Sequence, residues 1–120
     1  MKIDLTEING ICIAEVISEE MEIKNAQDAL DIMMNCIYQG ASNLIIYQKN
    51  FLPAFFDLKT GMAGEILQKF SNYRAKLAIV GDFENLPSKS LRDFIFESNK
   101  HGNINFVSSV NQAKAILSKG

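Results

Sequence analysis

The sequence is poor in the residues that most metal sites and many enzymes depend on. It has one histidine, His101, and two cysteines, Cys12 and Cys36, which lie far apart in the chain. No spacing typical of a zinc or iron site can be built from them. The glycine-rich motifs that bind dinucleotides or nucleotide phosphates are also missing. We therefore expect no metal and no cofactor, and an enzymatic activity is the less favoured interpretation.

Excess charge and long apolar runs are missing as well. The net charge is -2 at pH 7, which lacks the positive surplus that nucleic acids and anionic membranes select. Apolar runs such as 77–80 are far shorter than the ~20 residues that span a bilayer. The segment 1–7 has no pattern of a secretory signal. We expect a cytoplasmic protein with reduced, buried thiols and with neither a nucleic-acid nor a membrane partner.

What the chain does have is the composition of one globular domain. Its 120 residues are 48% hydrophobic and 22% charged, and they suffice for a single core without disulfides or a structural metal. We expect residues 1–120 to form one domain.

Hydrophobic periodicity predicts an α/β fold with the element order ββαβαβαβα. Asn9-Gly10 is typical of a tight turn between two strands, so residues 2–17 should form a hairpin. Helical spacing predicts helices over about 26–38 and 61–73. Pro87 and Ser88 introduce a third helix, for which Ser90 with Asp93 fits a capping box, and a short terminal helix follows Ser109. Apolar runs at 44–47, 77–81 and 103–107 predict three further strands.

This order predicts a mixed five-stranded sheet. The first strand must run antiparallel to the second because a two-residue turn joins them, and strands separated by helices should pair in parallel. Binding groups then belong to the loops at the carboxyl ends of the parallel strands: 18–24, 48–60, 82–89 and 108–109. Right-handed crossovers favour helices on one face, and self-association could then cover the apolar residues of the other.

The loop 51–56 carries more large apolar side chains than a surface loop needs. We expect Phe55 and Phe56 to close the edge of the core. Phe51 and Leu52 are predicted to be exposed contacts for a protein partner or a second subunit.

The next segment contains Asp57, Lys59, Thr60 and Gly61 at the predicted start of the second helix. A helix start offers unpaired amides, so a hydroxyl there can cap the helix, and a phosphate there would be held well. The lysine beside it would favour an anion. Thr60 is therefore either a cap or a regulated contact.

The segments 56–67, 77–81 and 106–113, together with the element order, resemble the STAS domain of anti-sigma factor antagonists. That family carries the pattern Asp-Ser-Ser/Thr-Gly, in which a partner kinase phosphorylates the second hydroxyl. Aligning Thr60-Gly61 with the last pair places Lys59 at the first serine and Leu58 at the aspartate. The chain as a whole, above all 56–82 and 90–94, resembles a bacterial family of unknown function, number 4180 in that series.

These features predict a cytoplasmic regulatory or protein-binding module that uses the edge formed by 48–60 and 82–90. The alternative is a small-molecule-binding or hydrolytic enzyme at the same edge, with Asp57, Thr60 and Asp82 as its polar groups. A deep pocket where these three side chains converge would favour the enzyme. A shallow edge with accessible apolar side chains would favour the binding module.

Overall fold

The computed structural model describes residues 1–119. A tight turn at Asn9 and Gly10 joins its first two strands. Both residues have positive φ, 54° and 78°, as the predicted turn requires. The turn joins β1 (Lys2–Ile8) to β2 (Ile11–Ile17), which pair antiparallel with Ile8 opposite Ile11. The predicted hairpin is confirmed.

The remaining elements alternate between helix and strand, and the sheet order is β1-β2-β3-β4-β5. All pairs after the first are parallel, so the predicted α/β class and mixed five-stranded sheet are confirmed. None of the helices in residues 1–119 has the length and apolarity needed to cross a membrane. The strands are β3 (Asn43–Tyr47), β4 (Lys76–Val80) and β5 (Ile104–Val107), and the helices are α1 (Ala26–Tyr38), α2 (Met62–Asn72), α3 (Lys89–His101) and α4 (Val110–Leu117).

The helix starts follow the sequence with one exception. Asn25 caps α1 by accepting from the amide of Asp28, and Ser109 caps α4. The cap of α3 is Ser88, whose hydroxyl accepts from the amide of Leu91 at 3.2 Å. The predicted capping box at Ser90 is wrong, because Ser90 already lies in the first turn, whereas Ser88 has the extended backbone of a cap.

The sheet is covered on both faces, which differs from the expectation that all helices share one face. The larger core contains buried residues of α1 and α2, with side chains of α3 packed against it. On the other face, Ala113 and Leu117 of α4 pack against Ile13, Ile45 and Val107. Because α4 follows the last strand, it need not return to the sheet as a crossover helix and can turn to the opposite face.

The turn supports a stability prediction. Gly10→Val should lower the free energy of unfolding by about 1–2 kcal/mol, because a β-branched side chain is strained at positive φ. Gly10→Asn is the matched control: asparagine tolerates this backbone conformation, so its loss should be less than half as large. Urea denaturation of both variants measures the difference. Equal midpoints would contradict the role given to this turn.

Candidate functional site

Aromatic rings close the core below the carboxyl edge of the parallel strands. The rings of Phe55 and Phe56 lie 4.9 Å apart, and those of Phe51 and Phe55 lie 4.7 Å apart. Phe55 is buried and Phe56 is half-buried, as predicted. Phe51 is only 2% exposed, so its predicted role as an exposed contact is wrong. Leu52 is half-buried and is the accessible member of that pair.

Backbone pairing explains why Phe51 turns inward. Residues Ile23 and Phe51 form an isolated parallel bridge, in which the amide of Leu52 donates to the carbonyl of Ile23 at 2.8 Å. The amide of Ile23 in turn donates to the carbonyl of Asn50 at 2.9 Å. The chain at Phe51 therefore behaves as a short extension of the sheet, with one side facing the core.

Asn50 joins the same two loops through its side chain. Its amide nitrogen donates to the carbonyls of Ser18 and Glu20 at 2.9 and 2.8 Å, and its oxygen accepts from the amide of Tyr47. The residue is fully buried, so its side chain would be left unsatisfied without these bonds. Asn50 was not identified from the sequence. The only signal available was an asparagine directly after a buried strand, which is common at turns.

A third loop is attached by Gln48. Its side-chain oxygen accepts from the amide of Asp82 at 3.1 Å. Gly81 makes this approach possible, since a Cβ at that position would lie 2.7 Å from the Cβ of Gln48. The loops after β2, β3 and β4 are thus bonded to one another and form one continuous edge.

Thr60 lies on that edge and is exposed, but its hydroxyl is fully occupied. The proton is shared between the carbonyls of Ala54 and Asp57, at 2.7 and 2.9 Å, and the oxygen accepts from the amide of Met62 at 3.3 Å. The hydroxyl therefore accepts a hydrogen bond from the first backbone amide of α2, as the side chain of a cap does. Gly61, with φ of 76°, occupies the N-cap position itself.

Asp57 and Lys59 line a depression of about 360 Å³ beside the start of α3. Phe56 and Leu58 are the apolar residues of its lining, and Ser88 and Ser90 line it as well. The carboxylate of Asp57 accepts from the backbone amide of Lys59 at 3.2 Å. Among residues 1–119, the amino group of Lys59 has no ion-pair partner. The depression therefore combines apolar side chains with the lysine and the aspartate.

The polar groups of the predicted enzyme do not share a pocket. Thr60 lines a second depression of about 180 Å³ with Leu52 and Lys24, from which Asp57 is absent. Asp82 lines neither depression, and its carboxylate accepts from the amide of Glu84. All three side chains belong to exposed residues. None of the depressions described for residues 1–119 contains two of these three side chains.

A further polar pair lies at the strand ends on the α4 face. The hydroxyl of Tyr47 donates to Glu15 at 2.5 Å, in a depression of about 300 Å³ that also includes Lys49. Burial, together with the hydrogen bond and charge of Glu15, raises the pKa of Tyr47 to about 12. Sequence reasoning missed this pair because its partners lie on different strands.

The thiols are not equally buried. Cys36 is fully buried, and burial, with a smaller effect of Cys12, raises the pKa of its thiol to about 11. Cys12 is only half-buried, so the expectation that both are enclosed is correct for Cys36 alone.

Comparison with known proteins gives a family and no activity. A family model described as "Domain of unknown function (DUF4180)" matches residues 8–117. The search of curated proteins found no match.

Thr60 supports a graded stability prediction. Thr60→Ser keeps both roles of the hydroxyl and should stay within about 0.5 kcal/mol of the native chain, and Thr60→Ala should lose about 1 kcal/mol. Thr60→Asp should lose more than Thr60→Ala, because a carboxylate has no proton to donate to the carbonyls of Ala54 and Asp57. Chemical denaturation at pH 7 gives the order. Thr60→Asp as stable as Thr60→Ser would contradict the donor role.

Asn50 supports a second prediction. Asn50→Asp should lower the free energy of unfolding by about 3 kcal/mol or more, because a buried carboxylate would face the carbonyls of Ser18 and Glu20 without a donor. Asn35→Asp is the same change at an exposed position of α1 and should cost less than about 0.5 kcal/mol. Thermal and urea melts compare the two. Similar losses would show that Asn50 does not hold the loops together.

Proposed function

Because the chain belongs to the DUF4180 family, whose description gives no activity, we propose its function from its own geometry: a regulatory module that binds a protein at the edge formed by 48–60 and 82–90. The observation that carries the proposal is that the exposed side chains of Asp57, Thr60 and Asp82 line no common depression among those described for residues 1–119, although the Thr60 hydroxyl donates to the backbone carbonyl of Asp57. Catalysis by these groups would need them around one reacting atom. Recognition of a protein surface needs only separate contacts on a fixed edge.

The composition of the edge supports this proposal. Leu52 and Leu58 are half-buried and present apolar surface, while Lys59 adds a positive charge without an ion-pair partner in residues 1–119. An apolar patch with a polar rim is the usual composition of a protein interface. Bonds among the three loops hold these contacts in place, which lowers the entropy lost on binding.

The proposal keeps the STAS-like interpretation as a working analogy. The element order ββαβαβαβα and the position of Thr60-Gly61 before α2 support it. In STAS domains of anti-sigma factor antagonists, phosphorylation at this place changes partner binding. Here a phosphate on Thr60 would remove the proton held by Ala54 and Asp57, so modification would require the segment to open. We therefore assign contact with a cytoplasmic partner to Leu52, Leu58 and Lys59, and a structural role to Thr60.

Site-specific photo-cross-linking in the native cell tests the proposal. A photoreactive amino acid at Leu58 should give one dominant protein adduct, because this side chain lines the depression beside Lys59. Tyr73 is the matched control: it is 48% exposed but caps the opposite end of α2, so it should give no such adduct. Lys59→Glu in the Leu58 variant should remove the adduct.

An adduct at both positions, or at neither, would contradict a binding surface at this edge. Measured turnover of a small molecule that is lost in Asp57→Asn would favour the alternative enzyme.

A further inference from the structure

The outer edge of β1 is a strand edge without a partner in residues 1–119. β1 is the first strand of the sheet and pairs only with β2. It is seven residues long, contains no proline and is paired without interruption from Lys2 to Ile8. Natural proteins usually protect such an edge with proline, a bulge, a covering segment or charged side chains. β1 carries charged side chains at Lys2, Asp4 and Glu7, so the strand that pairs with it must match these charges.

The hairpin geometry determines which backbone groups are available. Residues that flank a two-residue turn form a hydrogen-bonded pair, and such pairs alternate along the strands. Since Ile8 and Ile11 flank the turn, the even-numbered residues of β1 bond to β2. The N–H and C=O groups of Ile3, Leu5 and Glu7 therefore point away from the sheet and can accept a new strand.

The side chains of residues 1–5 form a self-complementary pattern. Met1, Ile3 and Leu5 lie on the face of the larger core, where Met1 is 58% and Leu5 is 45% exposed. Lys2 and Asp4 lie on the opposite face, with their charged atoms 3.8 Å apart. Reading this segment in the reverse direction gives the same apolar pattern with the two charges exchanged.

We propose that the chain forms a symmetric dimer in which β1 pairs antiparallel with β1 of a second copy, centred on Ile3. Directly opposite residues share a face in an antiparallel pair. Lys2 then lies opposite Asp4 of the second copy, and Asp4 lies opposite its Lys2. On the other face, Ile3 meets Ile3 and Met1 meets Leu5. The two sheets become one sheet of ten strands.

Other registers are less favourable. A pairing centred on Asp4 places two carboxylates opposite each other, which destabilises a strand pair. A pairing centred on Leu5 places Glu7 opposite Ile3 and leaves Lys2 without a charged partner. The register centred on Ile3 alone among these matches both charges and keeps Glu7 outside the overlap. Charge complementarity therefore selects a second copy of this chain over an unrelated strand.

Sedimentation equilibrium of the full chain tests the dimer. The fitted mass should rise with protein concentration from 13.4 kDa toward twice that value. Asp4→Lys and Lys2→Asp should each raise the dimer dissociation constant about tenfold or more, because each places like charges across the interface. Glu7→Lys is the matched control, because Glu7 lies outside the paired segment 1–5. It should leave the dimer dissociation constant within about twofold of its value for the unmodified chain.

Mixing the two charge variants separates this interface from a loss of folding. The Asp4→Lys chain carries two lysines and the Lys2→Asp chain two aspartates, so an equimolar mixture restores both attractive pairs. The mixture should associate about as tightly as the unmodified chain, although neither variant does so alone. An unmodified chain that stays at 13.4 kDa would overturn the proposal, as would a dimer unaffected by either variant or a mixture that fails to associate.

Discussion

The side-chain amide of Asn50 is the interaction on which the candidate binding edge depends. It is the point where the loop after β2 and the loop after β3 are fastened to each other inside the protein. Without it, the carbonyls of Ser18 and Glu20 would lose their donors from the loop after β3, and the bridge between Ile23 and Phe51 would lose its support. The order of this edge is therefore a property of hydrogen bonds among loops, added to the packing of the sheet below.

The candidate binding edge depends on bonds between loops that are distant in sequence, whereas other parts of the fold follow from local sequence signals. Only the locally encoded parts could be predicted from the sequence. The Asn9-Gly10 turn and the apolar period of α1 are local signals, and both gave correct bounds. The direction of Phe51 is set by a strand-like contact with Ile23, which is distant in sequence. Composition alone suggested an exposed aromatic residue there, and that prediction was wrong. The placement of α4 on the second face was missed because no later strand constrains it.

In the candidate site, too, local features could be predicted from the sequence and long-range positions could not. Thr60 could be recognised as a residue that serves a helix start, since such hydroxyls have a characteristic position. Its donation to the carbonyls of Ala54 and Asp57 depends on the path of two short 3-10 turns, Pro53–Phe56 and Leu58–Thr60, which no periodic pattern encodes. That Asp57 and Asp82 line no common depression among those described for residues 1–119 likewise depends on the positions of whole loops. These positions support the proposal of a surface for recognition.

Hydrogen exchange at the amides of Ile23 and Leu52 tests the central claim most directly, namely that the edge is held as firmly as the sheet. Both amides lie outside the regular strands, yet each bonds across the two loops joined by Asn50. We expect their protection to approach that of the amides of β3 and β4 in the native chain, and to fall in Asn50→Asp by more than the protection of the strand amides, which decreases only with the global free energy of unfolding. Exchange of Ile23 and Leu52 at the rate of an open loop in the native chain would contradict the account.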